Sequence, residues 1–561
     1  MATAYLTPGV YVEEMPPGSR PIEGVGTSVA AFVGFAERGP RNRPVLVTNW
    51  SQFQDRFGSF RKDCYLAHAV YGYFANGGGT CYVVNLAASL APQAVIPVFG
   101  SNGTRTTSLE VYATRQGLKV KDLSVEISFD TGADESGPPP PNANPNGVPK
   151  KPADDVAGAA DSAPPADSGT VKTTPTKAPV KVATPAPNAP FRLQVKVGDQ
   201  VVKDETFHNV TMDRESPTYV ETMVNGVSQY IWLTPPLGRG PLAVPQPGTS
   251  ALQAPGPSIP SAGPAEIEGD VRERAGVAGL ESVDEITIVC APDLMALYKQ
   301  GQLNDTGLVG LQKRILEHCE RMKDRVAILD APPGLDPQGV SEWRDGALID
   351  SSFGALYYPW LKVLDPLDPT GKRMLSIPPC GHMAGIWARS DSERGVHKAP
   401  ANEVIRGAVD VAQDITDGEQ GILNPKGVNC IRTFGLRGIR VWGARTLSSD
   451  TAWKYINVRR FFNWAEDSIQ HGTQWAVFEP NDFGLWQRLK RDVTAFLLRP
   501  YRDGALFGAM PEQAFYVKCD TETNPPDQID AGMVVIEIGM CPVKPAEFVI
   551  FRVTQLPTGG A

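Results

Sequence analysis

Cys64 and His68 stand four residues apart in an apolar run, and on a helix that spacing puts both side chains on one face. They could begin a zinc site, but such a site needs more ligands of suitable geometry. Core packing is the plainer reading. His318 and Cys319 are a base and a nucleophile by type. Those two groups must converge in space, and sequence neighbours on a helix do not face each other. Glu466 and Asp467 fail as an acid–base pair for the same reason, because paired carboxylates need a shared cleft. Gly24-Val25-Gly26 precedes an apolar strand instead of following one and lacks a third glycine, so the dinucleotide-binding context is missing. Gly371-Lys372-Arg373 lacks the glycine loop and hydroxyl residue of a phosphate cradle. No G-x-S-x-G elbow, H-E-x-x-H pair or EF-hand loop occurs. The sequence therefore reads as non-enzymatic, with no cofactor and no metal.

The bulk properties narrow the classes further. A chain of 561 residues implies two or three domains. A net charge of −9 argues against a general nucleic-acid binder, which needs basic stripes to meet phosphates. No apolar run approaches the roughly 18 residues of a spanning helix, so no direct membrane insertion is expected. Met1 to Val12 lacks a signal region. Synthesis and assembly are expected in a cytoplasm. Eight cysteines occur without a C-x-x-C pair; Cys64, Cys81, Cys290 and Cys541 lie in apolar runs and read as reduced core residues.

The elements read as a mixed α/β, multidomain chain: an α/β core sheet, a β-rich inserted outer domain and terminal β-strand arms. Residues 1–20 form an arm around the short alternating strand Val10-Tyr11-Val12, too short to be stable alone. Residues 21–87 read as strand, helix, helix, strand, the first part of the core. Residues 88–276 read as the inserted domain. It carries two tracts rich in proline, 131–190 and 234–264. The first has no aromatic residue and too little apolar surface to offset its ordering entropy. From 277 to 530 apolar strands alternate with helices (286–290, 308–322, 326–329, 355–358), implying a parallel, doubly covered sheet that 21–87 completes. Further strands are expected at 438–446 and 453–458, and helices at 459–469 and 481–498, the latter stopped by Pro500. Residues 531–561 are expected to form a hairpin, 532–540 with 547–554, and a final arm.

The run YINVRRFFNWAEDSI at 455–469 resembles the contractile tail sheath family, as does QWAVFEPND at 474–482. So do LWQRLKRDVTAF at 485–496, GALFGAMPEQAFYV at 504–517, CDTETNPPDQID at 519–530 and VKPAEFVIF at 543–551. TPGVYVEE at 7–14, Val29–Gly34 and 210–229 are similar too. The proline-rich tract and Tyr501, where tryptophan is expected, depart from the pattern.

The resemblance implies a homo-oligomer of helically stacked, six-fold rings around an inner tube protein, with baseplate and terminator or cap proteins at its ends. It implies contraction from a metastable extended state in a phage tail or an extracellular injection particle. It also implies strand exchange between copies, involving Val10, Tyr11, Val12, Val534, Ile536, Ile538, Phe548, Ile550 and Arg552. Arg488, Lys490 and Arg491 are expected to face an acidic tube. An α/β enzyme and a receptor-binding particle protein are the rival readings. Sequence does not separate phage tail from extracellular particle.

Overall fold

The computed structural model describes residues 21–86, 93–99, 107–114, 117, 120–129, 189–225, 227–235, 243–253 and 262–552. Val10, Tyr11, Val12, nearly all of the 131–190 tract and residues 553–561 lie outside the described residues.

An eight-stranded sheet forms the centre. Its order is Ile439–Val441, Val428–Thr433, Gly354–Tyr358, Val326–Asp330, Ile288–Cys290, Ala30–Gly34, Cys81–Asn85, Val45–Val47. The six inner strands are parallel and both edge strands antiparallel. Ala30–Gly34 lies between Ile288–Cys290 and Cys81–Asn85, so the two sequence-distant segments share one sheet. Every residue of Ala30–Gly34, Val326–Asp330 and Gly354–Tyr358 is buried, as expected for strands covered on both faces.

Two helices over this sheet, Leu66–Ala75 and Cys380–Arg394, pack against each other. Gly381 and Gly385 permit the approach: a Cβ at either would collide with the backbone of Ala69 or Tyr73. The first eleven residues of Cys380–Arg394 are all buried. With no polar face there is no amphipathic period, which is why the sequence reading missed this helix.

Strand ends hold the starts of these helices. Asp293, beyond Ile288–Cys290, accepts the backbone N–H groups of Phe35 (2.6 Å), Tyr65 and Leu66 (3.3 Å). Asp330 accepts the N–H of Cys380 at 2.9 Å. Burial pushes the Asp330 carboxyl up to about 7 and that of Asp293 up to about 6. A carboxyl raised in the fold contributes stability that is full below its unfolded value and lost as pH rises through the folded one. Asp330→Asn keeps an oxygen acceptor but cannot ionise. It is expected to gain on the wild type at pH 8 and to lose about 1–3 kcal/mol of that advantage by pH 5. Urea unfolding at both pH values checks this; an advantage independent of pH would refute it.

The inserted segment builds a second core. A four-stranded antiparallel sheet runs Gly248–Ala251, Leu123–Ser128, Phe191–Val197, Gln200–Val210, and a three-stranded one runs Ala94–Pro97, Thr107–Ala113, Ile231–Thr234. Their inward residues, among them Leu109, Val125, Leu193 and Leu233, form a cluster separate from the main core. Ile267 already belongs to the main core, so the insertion ends earlier than residue 276.

Three expected elements differ. Residues 453–458 are not a strand; the helix Ile456–Gly472 begins inside them. Pro500 does not stop the last long helix, which runs Phe483–Arg502. The hairpin of 532–540 with 547–554 does not form among the described residues, which end at 552. Only Glu537–Met540 is a strand, and its partner is Phe515–Lys518. Upstream, the Asn524 side chain takes both the N–H and the C=O of Val535, at 2.6 and 3.0 Å. A side chain thus satisfies backbone groups that a ladder would otherwise use. Residues 547–552 have no sheet partner among the described residues. No described helix is long and apolar enough to cross a membrane.

Candidate assembly surfaces

Neither His318–Cys319 nor Cys64–His68 forms a reactive or metal site among the described residues. Burial pushes the Cys319 thiol up to about 12, and burial with Arg325 and Arg321 holds His318 down at about 3. That is the reverse of an activated thiolate and its base. Burial also lowers His68 to about 4, and no group of three or more metal-ligating side chains occurs among the described residues. Seven cysteines are buried and free, but Cys541 is exposed, not core.

The basic surface lies on the Phe483–Arg502 helix. The Asp482 carboxylate caps it by accepting the N–H of Leu485 at 2.8 Å. Leu485, Trp486, Leu489, Val493, Phe496, Leu497 and Pro500 are its buried side. Arg488 and Arg491 stand on the exposed side. Steps of three and four residues from Arg491 lead through Ala495 to Arg499 and Arg502, which are also exposed. Lys490 is half-buried, about 200° around the helix from Arg488. The stripe is therefore Arg488, Arg491, Arg499 and Arg502, about 20 Å long. Arg488 pairs with Glu479 (3.3 Å), while Arg499 and Arg502 have no ion-pair partner among the described residues. The sequence reading lost the last two by ending the helix at Pro500. That proline costs only one hydrogen bond in the final turn, and its ring is buried.

The second surface is the described C-terminal end. Val534, Ile536 and Ile538 point inward: Ile536 packs on two apolar clusters, and Ile538 pairs with Val517. These three are thus engaged within their own subunit. Among the described residues each strand of the pair Phe515–Lys518 and Glu537–Met540 still has one unpaired edge, because that sheet has two strands there. Farther on, Glu547 is held at its two oxygens by Arg445 (2.8 and 2.6 Å) and by Asn424 (2.7 Å) and Tyr455 (3.1 Å). Burial pushes its carboxyl up, but these hydrogen bonds outweigh burial and hold it below the usual range. Immediately beyond, Phe548, Val549, Ile550 and Phe551 are each at least 69% exposed, and Arg552 is exposed too. Four consecutive exposed large apolar residues, without a partner among the described residues, form a surface that monomers rarely tolerate.

Residues 291–447 match the phage tail sheath protein central domain, and 448–555 match the phage tail sheath C-terminal domain. The tail sheath protein of Salmonella phage ViI is 29% identical over 296 residues, 50% of this chain and 44% of that one. A putative prophage major tail sheath protein of Pseudomonas aeruginosa (strain UCBPP-PA14) is 30% identical over 234 residues, 41% of this chain and 57% of that one. The matched stretch thus spans about half the length of these relatives. Among solved structures, the anti-feeding prophage helical sheath in its contracted state is similar over 98% of this chain and 100% of that one, with a TM-score of 0.53 at 22% identity. The sheath complex of the extracellular contractile injection system PVC, also contracted, covers 99% of each chain at a TM-score of 0.53 and 21% identity. At these identities the structural likeness concerns the fold.

Proposed function

This chain belongs to the contractile tail sheath family, and on that premise we propose that it is a non-enzymatic sheath subunit. It polymerises helically around an inner tube and contracts from a metastable extended state, driving the tube through a target membrane. Copies stack as six-fold rings between a baseplate and a terminator. The assembly belongs to a virion tail or a released tail-like particle, built in the cytoplasm. No nucleic acid and no cofactor take part.

The observation that carries this reading is the C-terminal run Phe548–Phe551, exposed and without a sheet partner among the described residues, in a subunit that also carries a two-stranded sheet with open edges among those residues. An added strand brings several main-chain hydrogen bonds, each contributing about 0.5–1.5 kcal/mol. Exchange with a neighbour, through Val10–Val12 at one end and 548–552 at the other, propagates into a heterologous lattice. Purified chain is expected to form long tubes by electron microscopy. A small closed oligomer under every polymerising condition would refute the proposal and favour an enzyme.

The arginine stripe is the proposed tube contact. Reversing Arg488, Arg491 and Arg499 to glutamate is expected to cut co-sedimentation with inner tubes by about tenfold or more, since complementary charge governs such docking. Lys490→Glu, off the stripe, serves as the control. Equal loss in both variants would remove the stripe from the tube interface.

A further inference from the structure

The roots of both chain ends lie on one helix, Ile456–Gly472. On the N-terminal side, Val25 donates its N–H to Ser468 Oγ at 3.1 Å, and its C=O accepts from Trp464 Nε1 at 3.1 Å. Arg460 donates to the Thr27 carbonyl at 2.8 Å. Residues 460, 464 and 468 are four apart and form one stripe. Gly24 lies so close to the Trp464 indole that an added Cβ would stand 2.8 Å from Cζ2. On the C-terminal side, Asn457 Nδ2 donates to the Val543 carbonyl at 3.1 Å, and Tyr455 at the N-cap reaches Glu547. The helix is itself tied to the core by the buried Arg460–Asp391 pair.

The chemistry of the C-terminal root is specific. A single antiparallel bridge, Leu506 with Pro542, ends with the Val543 N–H on the Ala505 carbonyl at 3.0 Å, and 544–552 have no regular secondary structure. Beyond that bridge one carboxylate, Glu547, moors the segment with bonds from Arg445, Asn424 and Tyr455, and Lys454 lies 3.9 Å away. The exposed apolar run begins at the next residue. Val543 and Glu547 are thus held by named bonds, whereas Phe548–Phe551 just beyond are exposed.

We propose that Ile456–Gly472 is a strut that sets the separation of the two arm roots, with Glu547, Trp464 and Ser468 as positioning residues for arms that engage second copies of this chain. The inference rests on the sheath reading above. In a lattice held by exchanged strands, the exit point of each arm decides which neighbour it reaches. A loosened root lets the arm sample a larger volume, which lowers its effective concentration at the acceptor sheet. The helix touches both roots, through Trp464 and Ser468 at one and Asn457 and its N-cap Tyr455 at the other, and with Arg445 and Asn424 of the core it keeps their spacing constant while the lattice rearranges beyond them.

Hydrogen exchange on the full-length, unassembled chain separates mooring from general stability, and electron microscopy then reads assembly. In Glu547→Gln, amides of 541–547 are expected to exchange at least about tenfold faster while those of Ile456–Gly472 stay protected. In Trp464→Phe with Ser468→Ala, residues 22–27 are expected to loosen in the same way. Sheath yield is expected to fall about tenfold in both, as for other losses of effective concentration. Unchanged exchange at the roots, or loss of protection throughout the helix, would overturn the proposal. So would loosened roots with normal sheaths. A wild-type chain that shows the same root protection but never polymerises would instead overturn the sheath reading and leave the mooring standing.

Discussion

Arg460→Met is expected to cost about 3–5 kcal/mol of folding free energy, the usual result of stripping one partner from a buried ion pair. Arg460 and Asp391 are each only 4% exposed and bond twice, at 2.9 and 2.5 Å. The guanidinium also lies over the Trp387 ring, 4.7 Å from its centroid. Removing it leaves the Asp391 carboxylate buried and unpaired between the helices Cys380–Arg394 and Ile456–Gly472. Asp391→Leu in the same chain is expected to recover most of the loss, because two apolar groups carry no desolvation penalty. Urea unfolding followed by tryptophan fluorescence for the single and double variants closes the cycle. A single-variant cost under about 1 kcal/mol would place the pair among ordinary surface bridges.

Phe548→Asp with Ile550→Asp is expected to give a folded, soluble monomer that builds no sheath. The two residues are 71% and 80% exposed, so charging them removes little contact among the described residues. In a donated strand they would alternate onto one face of the acceptor sheet, where an unpaired carboxylate is costly. Circular dichroism and sizing report the fold, and electron microscopy reports assembly. Deleting residues 1–15 tests the other arm and is expected to give the same separation of folding from polymerisation. Sheaths of normal length from the charged variant would show that 548–552 is not an exchanged strand. A globally unfolded variant would assign the segment to its own core.

Local pattern made much of this molecule legible. The buried strands around 30–34, 81–85, 288–290, 326–330 and 354–358 announce themselves as short apolar runs. The amphipathic helix Asp305–Met322 declares its period, and Phe191–Val197 its alternation. Those signals depend only on neighbours within a few residues, so the chain carries them before it folds. The failures share one cause. Val428–Thr433 contains Asn429, which looks wrong for a buried strand. Its side chain bonds the Leu356 and Arg445 carbonyls and receives the Arg445 N–H. Cys380–Arg394 is buried nearly all round, so it shows no polar face.

The sequence by itself determined the α/β core, the β-rich insertion, the lack of reactive motifs and the family. Tertiary structure decided which faces are available for assembly. Lys490 and Arg491 are adjacent in sequence, yet only Arg491 joins the stripe with Arg488, Arg499 and Arg502. Val534, Ile536 and Ile538, expected in the hairpin that accepts an exchanged strand, pack their side chains into their own subunit. The similar apolar residues at 548–551 do not. Composition cannot tell these two runs apart. The difference lies in remote partners, Asn524 for one and Arg445 with Tyr455 for the root of the other. Whether an apolar strand is core or interface depends on what the rest of the chain has already covered, and only the folded chain contains that fact.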